Sequence, residues 1–277
     1  MKIVCLIKSS PPTNYFVNAI HRQHPISLVI VERPTPQAKS KLERLKEITK
    51  TYGWLFLLGV LLDRSRGRDH TNTHNQFFGD QWRELDPAIP KLHVDSVNGK
   101  DCIEQLKAES ADLLLDHGTS IVKPPALATA PLALNLHWGL SPYYRGTKCT
   151  EWALVNWDPY NIGVTIHKLA QRIDGGDIVY QARATVEPED DAHAINMQLT
   201  KLGTDLTLRA IRELEAGNDL TFHPQDFSAG FVTLSRQTSH HWLKHARLIE
   251  KRGLTQLLRT PARKERLPIV EPKPTDS

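Results

Sequence analysis

The first half of the chain alternates short apolar runs with stretches whose apolar residues recur every three or four positions. Residues 3–7 and 27–31 read as strands, with a helix at 13–22 between them. Residues 90–94 predict a further strand, and 98–110 a helix with Cys102, Ile103 and Leu106 on one stripe. Residues 111–115 and 131–136 are continuous apolar runs, the pattern of strands buried on both faces. This alternation predicts an α/β fold of Rossmann-like type, a mostly parallel sheet covered by helices on both faces. No Gly-x-Gly-x-x-Gly follows the first strand, so the dinucleotide fingerprint is missing. Further on, residues 146–157 predict a helix, and 162–166 and 178–182 two strands. Residues 190–216 predict the longest helix, opened by Asp190 and Asp191 and stopped by Gly217.

The pattern is interrupted between the second and third strands. Residues 37–62 are helix-like and end in the apolar run 54–62, from Trp54 to Leu62. That run is far short of the ~18–20 residues that span a bilayer. It predicts a helix packed on the domain or on a second copy in a homodimer. A peripheral membrane contact, helped by Arg64, Arg66 and Arg68, is the alternative. The expected organisation is a catalytic domain over 1–218 with a helical insertion at about 36–68. Residues 219–277 then form a small C-terminal appendage, with a basic helix at 241–252 and a mobile basic, proline-containing tail.

Composition narrows the class. The chain has 277 residues, 40% hydrophobic and 24% charged, which fits a globular protein rather than a disordered or membrane-embedded one. A formal charge of +4 is too mild to imply a nucleic-acid partner. Cys5, Cys102 and Cys149 show no paired spacing, and no signal-peptide pattern follows the first strand, so a cytoplasmic location is expected. His241 and His245 would share a helix face, but no carboxylate or cysteine set accompanies them, and no metal is expected.

The candidate chemistry lies in two segments. Asn135 and His137 sit two residues apart at the end of the 131–136 run, so on a strand both point to one face. Pro142 and Gly146 follow in a loop. Next come Gly163-Val164-Thr165-Ile166-His167 and Ile173-Asp174-Gly175-Gly176. A carbonyl-polarising amide, a proton-transferring imidazole and an acidic orienter make a usable acyl-transfer set.

In order and spacing this set resembles the folate-dependent formyltransferases over roughly residues 110–215. That family carries Asn-x-His at a strand end, a Pro-x-x-x-Gly loop, a Gly-Val-Thr-x-His strand and an Asp-x-Gly turn. Two positions depart from it: Gly139 stands where a Ser is common, and Leu140-Ser141-Pro142 replaces Leu-Leu-Pro. The resemblance implies catalytic roles for Asn135, His137 and Asp174. It implies 10-formyltetrahydrofolate as formyl donor, held by His117, Gly118, Thr119, Ser120 and Ile121 with Ile173, Gly175 and Gly176. Tyr143, Arg145 and Gly146 would border the amine substrate, and His167 would face either the site or the core.

The resemblance also ranks the acceptors. Purine-pathway members have a glycine-rich phosphate loop after the first strand; here Lys8-Ser9-Ser10-Pro11-Pro12 stands there. Methionyl-tRNA members carry a full C-terminal β domain, for which the stretch after residue 218 is too short. The Asn-Leu-His…Tyr-Arg-Gly form looks like the nucleotide-sugar N-formyltransferases. The favoured expectation is therefore formyl transfer to a small-metabolite amine, a nucleotide-linked amino sugar above others. Alternatives are a glycinamide ribonucleotide formyltransferase, a formyltetrahydrofolate hydrolase, a methionyl-tRNA formyltransferase-like enzyme, and an inactive folate-binding or docking module.

Overall fold

The computed structural model describes residues 1–34, 46, 49–50, 54, 70–233, 254–262 and 265–272. The insertion expected at 36–68 lies almost wholly outside the described residues, with its apolar run and flanking arginines. So do the 241–252 helix, with His241 and His245, and residues 273–277 of the tail.

The chain enters through β1 (Ile3–Ile7), α1 (Pro11–His21), β2 (Ile26–Glu32), α2 (Thr71–Phe78) and β3 (Lys91–Val94). It continues through α3 (Lys100–Glu109), β4 (Leu113–His117), α4 (Pro124–Leu127) and β5 (Leu132–His137). These five strands are parallel, in the order β3-β2-β1-β4-β5. After β6 (Tyr144–Gly146) and α5 (Cys149–Val155), β7 (Gly163–Lys168) and β8 (Ile178–Arg183) extend the same sheet antiparallel. The long α6 (Ala192–Glu215) follows, then β9 (Phe231–Thr233) and α7 (Thr255–Arg259). β9 returns to pair with β6 in a separate two-stranded ribbon.

Burial explains the apolar runs. Ile3, Cys5 and Ile7 of β1 face one cluster with Phe16 and Ile20 of α1 and Leu199 and Leu206 of α6. Val4 and Leu6 face the other side, against Cys102 and Leu106 of α3. A strand covered on both faces has no polar alternation to show. Helix α6 starts where Asp191 accepts a hydrogen bond from the Ala194 N–H at 2.8 Å, satisfying one of the free donors of the first turn. Its chain exit passes through Gly217 at φ +78°, which glycine adopts without steric cost.

Two of the boundary differences from the sequence reading bear on the site. The strand expected at 111–115 runs two residues later, carrying Asp116 and His117 into the sheet. The expected run stopped short of Asp116, yet strand ends facing a cavity accommodate polar side chains. The helix expected at 146–157 begins only at Cys149, because residues 144–146 are drawn into β6 by β9. Pairing with residues almost ninety positions away leaves no local signal.

The strand order turns at β1, whose neighbours β2 and β4 lie on opposite sides. In such sheets a crevice opens at the carboxyl ends of the strands flanking this switch point. The C-terminal segments pack onto the same body. Leu254 and Leu257 are buried in the main core. Residues 265–270 run beside β8, with Gln181 N–H donating to the Val270 carbonyl at 2.6 Å and Leu267 N–H to Asn161 Oδ1 at 2.8 Å. Among the described residues, no helix is long and apolar enough to cross a membrane.

Candidate active site

A cavity of about 620 Å³ opens at the carboxyl ends of β1, β4 and β5. One wall is the loop 118–122; Leu169, Ile173, Pro12, Thr13, Trp138 and Asn196 complete the lining. Asn135, His137, His167 and Asp174 all line it.

The sheet register assembles the polar floor. Asp116 pairs with Asn135 across β4 and β5, and Asn135 with His167 across β5 and β7, so the three lie in one row. Asn135 Nδ2 donates to His167 Nε2 at 3.1 Å, while His167 Nδ1–H donates to its neighbouring Lys168 carbonyl at 2.7 Å. The hairpin between β7 and β8 brings Asp174 back over both imidazoles. Its Oδ2 lies 3.4 Å from His137 Nδ1, and its Oδ1 3.6 Å from His167 Nε2. Oδ2 also accepts the Gly146 N–H at 2.7 Å.

Electrostatics divides the roles. Burial alone would raise the Asp174 carboxyl, but the charges of His137 and His167 and the Gly146 N–H hold it well below the usual carboxylate range. Burial lowers His137 from the ordinary histidine value, with Asp174 opposing that shift. At neutral pH the pair is a carboxylate beside a neutral imidazole. His137 Nε2–H points at the Tyr144 carbonyl, 3.0 Å away, and Nδ1 at Asp174. Both ring nitrogens face acceptors, so a second proton has a prepared place on the ring. That is the property a transient general base needs.

Asp174 itself sits in left-handed backbone, at φ +42°. Non-glycine residues there cost of order 1–3 kcal/mol and persist only where the surroundings over-determine them. Gln225, from the segment after α6, supplies the restraint: its Nε2 donates to the carbonyls of Asp174 at 2.9 Å and Gly176 at 2.6 Å. The loop after His137 is held in the same way. Thr165 Oγ1 donates to the Gly139 carbonyl at 2.6 Å and accepts the Ser141 N–H at 3.0 Å; Gln181 Nε2 donates to the Ser141 carbonyl at 2.7 Å.

Thr233 of β9 fastens the other side. It is 1% exposed, with its Oγ1 3.0 Å from the Arg145 carbonyl and 2.6 Å from that of Thr147. Its own carbonyl accepts the Thr147 N–H at 2.8 Å. Thr233→Val keeps the shape and removes the hydroxyl. We expect a loss of about 1–3 kcal/mol in urea unfolding, from carbonyls left without a donor, and a lower turnover number; an unchanged midpoint would refute this role.

Two buried carboxylates shape the first wall. Glu32, at the end of β2, accepts from the Ser120 N–H at 2.8 Å, the Ser120 hydroxyl at 2.5 Å and the Val97 N–H at 3.2 Å. It also pairs with Lys8 at 3.2 Å. It thereby pins the 118–122 loop to the sheet. Asp116 accepts from the Thr119 hydroxyl, and burial pushes its carboxyl up to about 7. A raised folded-state value means the unfolded chain gives up this proton first, at about pH 4. Stability from this group is therefore present below that pH and is lost as pH rises to about 7. Asp116→Asn should raise the melting temperature at pH 8 relative to the wild type and leave it little changed at pH 4. Equal shifts at both pH values would contradict the assignment.

The expected site residues divide as follows. Asn135, His137 and Asp174 converge. Of the expected donor-side residues, 117–121 and Ile173 line the cavity, whereas Gly175 and Gly176 form the turn behind Asp174. Gly146 lines it too, but Tyr143 and Arg145 turn away. The Tyr143 hydroxyl donates to the Pro268 carbonyl at 3.3 Å, and the Arg145 guanidinium lies over the Phe227 ring, 4.7 Å from its centroid. Sequence reasoning missed Glu32, Gln181, Gln225 and Thr233 as site builders; Asp116 opens the 116–122 segment that the resemblance matches to the donor side. Cys149, expected only as an unpaired thiol, is buried 3.7 Å from His137 Nε2, and burial raises its thiol far above the ordinary value.

Known proteins resemble this chain in sequence and in fold. A family model described as formyl transferase matches residues 79–211. A methionyl-tRNA formyltransferase of Chlorobium chlorochromatii is 34% identical over 141 residues, 50% of this chain and 44% of that protein. One of Listeria monocytogenes is 31% identical over 180 residues, 62% of this chain and 56% of that protein. The chain thus spans about half the length of the curated relatives it matches. Among solved structures, a 4-N formyltransferase from Francisella tularensis superposes with a TM-score of 0.53 at 18% identity, covering 85% of this chain and 77% of that one. An N-formyltransferase from Helicobacter canadensis, in complex with folinic acid and dTDP-3-aminofucose, gives 0.52 at 15% identity, with 85% and 72% covered. These similarities establish the Rossmann-like fold shared with such enzymes.

Proposed function

We propose that this chain, whose residues 79–211 belong to the formyl transferase family, transfers a formyl group from 10-formyltetrahydrofolate to the amine of a small metabolite, an amino sugar first among them. The observation that carries the reading is the convergence of Asn135, His137 and Asp174 on the floor of one cavity. A main-chain loop at 118–122 with apolar Leu169 and Ile173 in the same lining suits a flat heterocycle.

The donor brings an activated formyl carbonyl. Asn135 Nδ2 has a second hydrogen beyond the one given to His167 and offers it to the carbonyl oxygen as negative charge develops there. Such a donor in a dry site contributes roughly 3–4 kcal/mol. A C–N bond forms at the acceptor amine while the bond from the formyl carbon to the departing nitrogen breaks. His137 takes the proton that the amine loses and returns it to the departing nitrogen. Asp174 stabilises the imidazolium between those two events.

The preference for an amino sugar over glycinamide ribonucleotide rests on the turn after β1. Helix α1 begins with Pro11 and Pro12, which have no N–H, and Thr13 closes a capping box with Ser10. Lys8 is committed to Glu32. A helix N-terminus binds phosphate through free N–H groups, and this one has lost the first two.

The test is incubation with formyl donor and a panel of nucleotide-linked amino sugars, glycinamide ribonucleotide and methionyl-tRNA, scored by mass for one added formyl group. Formylation confined to glycinamide ribonucleotide or methionyl-tRNA would overturn the preference. Tetrahydrofolate release with no amine present would make the chain a hydrolase.

A further inference from the structure

Two polar atoms beside the cavity are not used by the reaction scheme. His117 is 5% exposed and lines the cavity. Its ring packs edge-on against Phe16 of α1, centroids 5.4 Å apart, and against Trp138, 5.5 Å apart. His117 Nδ1–H donates to the Leu136 carbonyl at 3.2 Å, which leaves Nε2 as a hydrogen-bond acceptor. Nε2 is buried and has no partner, and the same is true of the indole Nε1–H of neighbouring Trp138. Burial holds the imidazole neutral, near pH 4 for its titration.

Leaving a buried donor and a buried acceptor unmade costs about 1–3 kcal/mol each. A native site carries such a cost where something else removes it. The two atoms are complementary, one needing a donor and the other an acceptor. A hydroxyl is the small group that can serve both, giving its hydrogen to Nε2 and taking one from Nε1–H. An anion cannot, because the lone pair on Nε2 repels it. Both residues lie on the α1 side of the sheet, with Phe16, whereas Asp116 and Asn135 point to the other face.

We propose that His117 and Trp138 form the acceptor subsite and select a hydroxylated, uncharged ring by binding one of its hydroxyl groups between imidazole Nε2 and indole Nε1. This rests on the formyl-transfer reading and sharpens its substrate class. It moves His117 from the donor side, where the family resemblance put it, to the acceptor side.

The experiment uses the full chain and dTDP-linked 3-amino and 4-amino deoxyhexoses, each with and without its ring hydroxyls. Binding is read by calorimetry in the absence of donor, and turnover by mass. Trp138→Phe keeps the ring and deletes only the N–H; His117→Phe removes the acceptor; His117→Gln restores one. For the best acceptor, Trp138→Phe and His117→Phe should raise KM and Kd about tenfold, with kcat and the donor KM within about twofold of wild type. His117→Gln should recover most of the affinity. One deoxy acceptor should lose the same factor against wild type and lose nothing further against His117→Phe.

Unchanged acceptor affinity in both Trp138→Phe and His117→Phe would overturn the subsite while leaving the formyl-transfer reading intact; the pair would then hold only water. Binding of an amino sugar without formyl transfer would overturn the activity and leave the subsite standing. Failure of every hydroxylated sugar to bind the wild type overturns the subsite outright.

Discussion

Asp174→Asn is expected to reduce kcat by about 10²–10⁴-fold, the range for loss of a positioned proton-transfer system, with the donor KM little affected. The amide keeps the size of the side chain and removes its charge. The carboxylate is what opposes the burial-driven fall in His137 basicity, and it also accepts the Gly146 N–H. Without it the imidazolium has no counter-charge in a dry site, so the transition state loses more than the ground state. The pH profile provides a second signature. In the wild type, activity should fall on the acid side at a value below the ordinary histidine range, as His137 becomes protonated before the amine arrives. In Asp174→Asn that fall should move to still lower pH. A variant with wild-type kcat, or an acid limb moving upward, would remove Asp174 from the proposed role.

Gly146→Ala should have the largest effect on integrity. Gly146 lies at φ +99°, a region that an L side chain rarely enters, and a Cβ there would collide with the Thr233 carbonyl. That carbonyl is main chain inside the β6–β9 ribbon and has nowhere to retreat. We expect a loss of about 3 kcal/mol or more in denaturant unfolding. Residual activity should drop at least as far as is expected for Thr233→Val, because the N–H that meets Asp174 moves with the ribbon. A fully active, fully stable Gly146→Ala protein would contradict the observed backbone.

The parallel half of the fold was legible because its strands are buried on both faces and its helices on one, the two patterns that hydrophobic periodicity reports. The catalytic triplet was legible because Asn135 and His137 are neighbours on a strand end and Asp174 lies in the turn of a short hairpin. What escaped were residues whose importance is created by distant pairing. Thr233 and Gln225 look like ordinary loop residues until β9 folds back onto β6. Gln181 reads as a polar position in an edge strand, yet it is buried and links the tail at Val270 to the loop at Ser141. Arg145 was drawn toward the substrate by its place in a motif, whereas its guanidinium is stacked on Phe227, a residue whose position no local pattern predicts.

The β6–β9 ribbon also carries a consequence for synthesis. All three reacting side chains are translated by residue 174, but the strand that fastens Gly146 beneath the carboxylate comes roughly sixty residues later, about 3–12 s at ordinary elongation rates. A ribosome-bound chain in that interval holds every reactive group and lacks the clamp that aligns them. Stalled nascent chains ending before β9 should be inert toward the formyl donor, and those extended well past it should acquire activity in a single step.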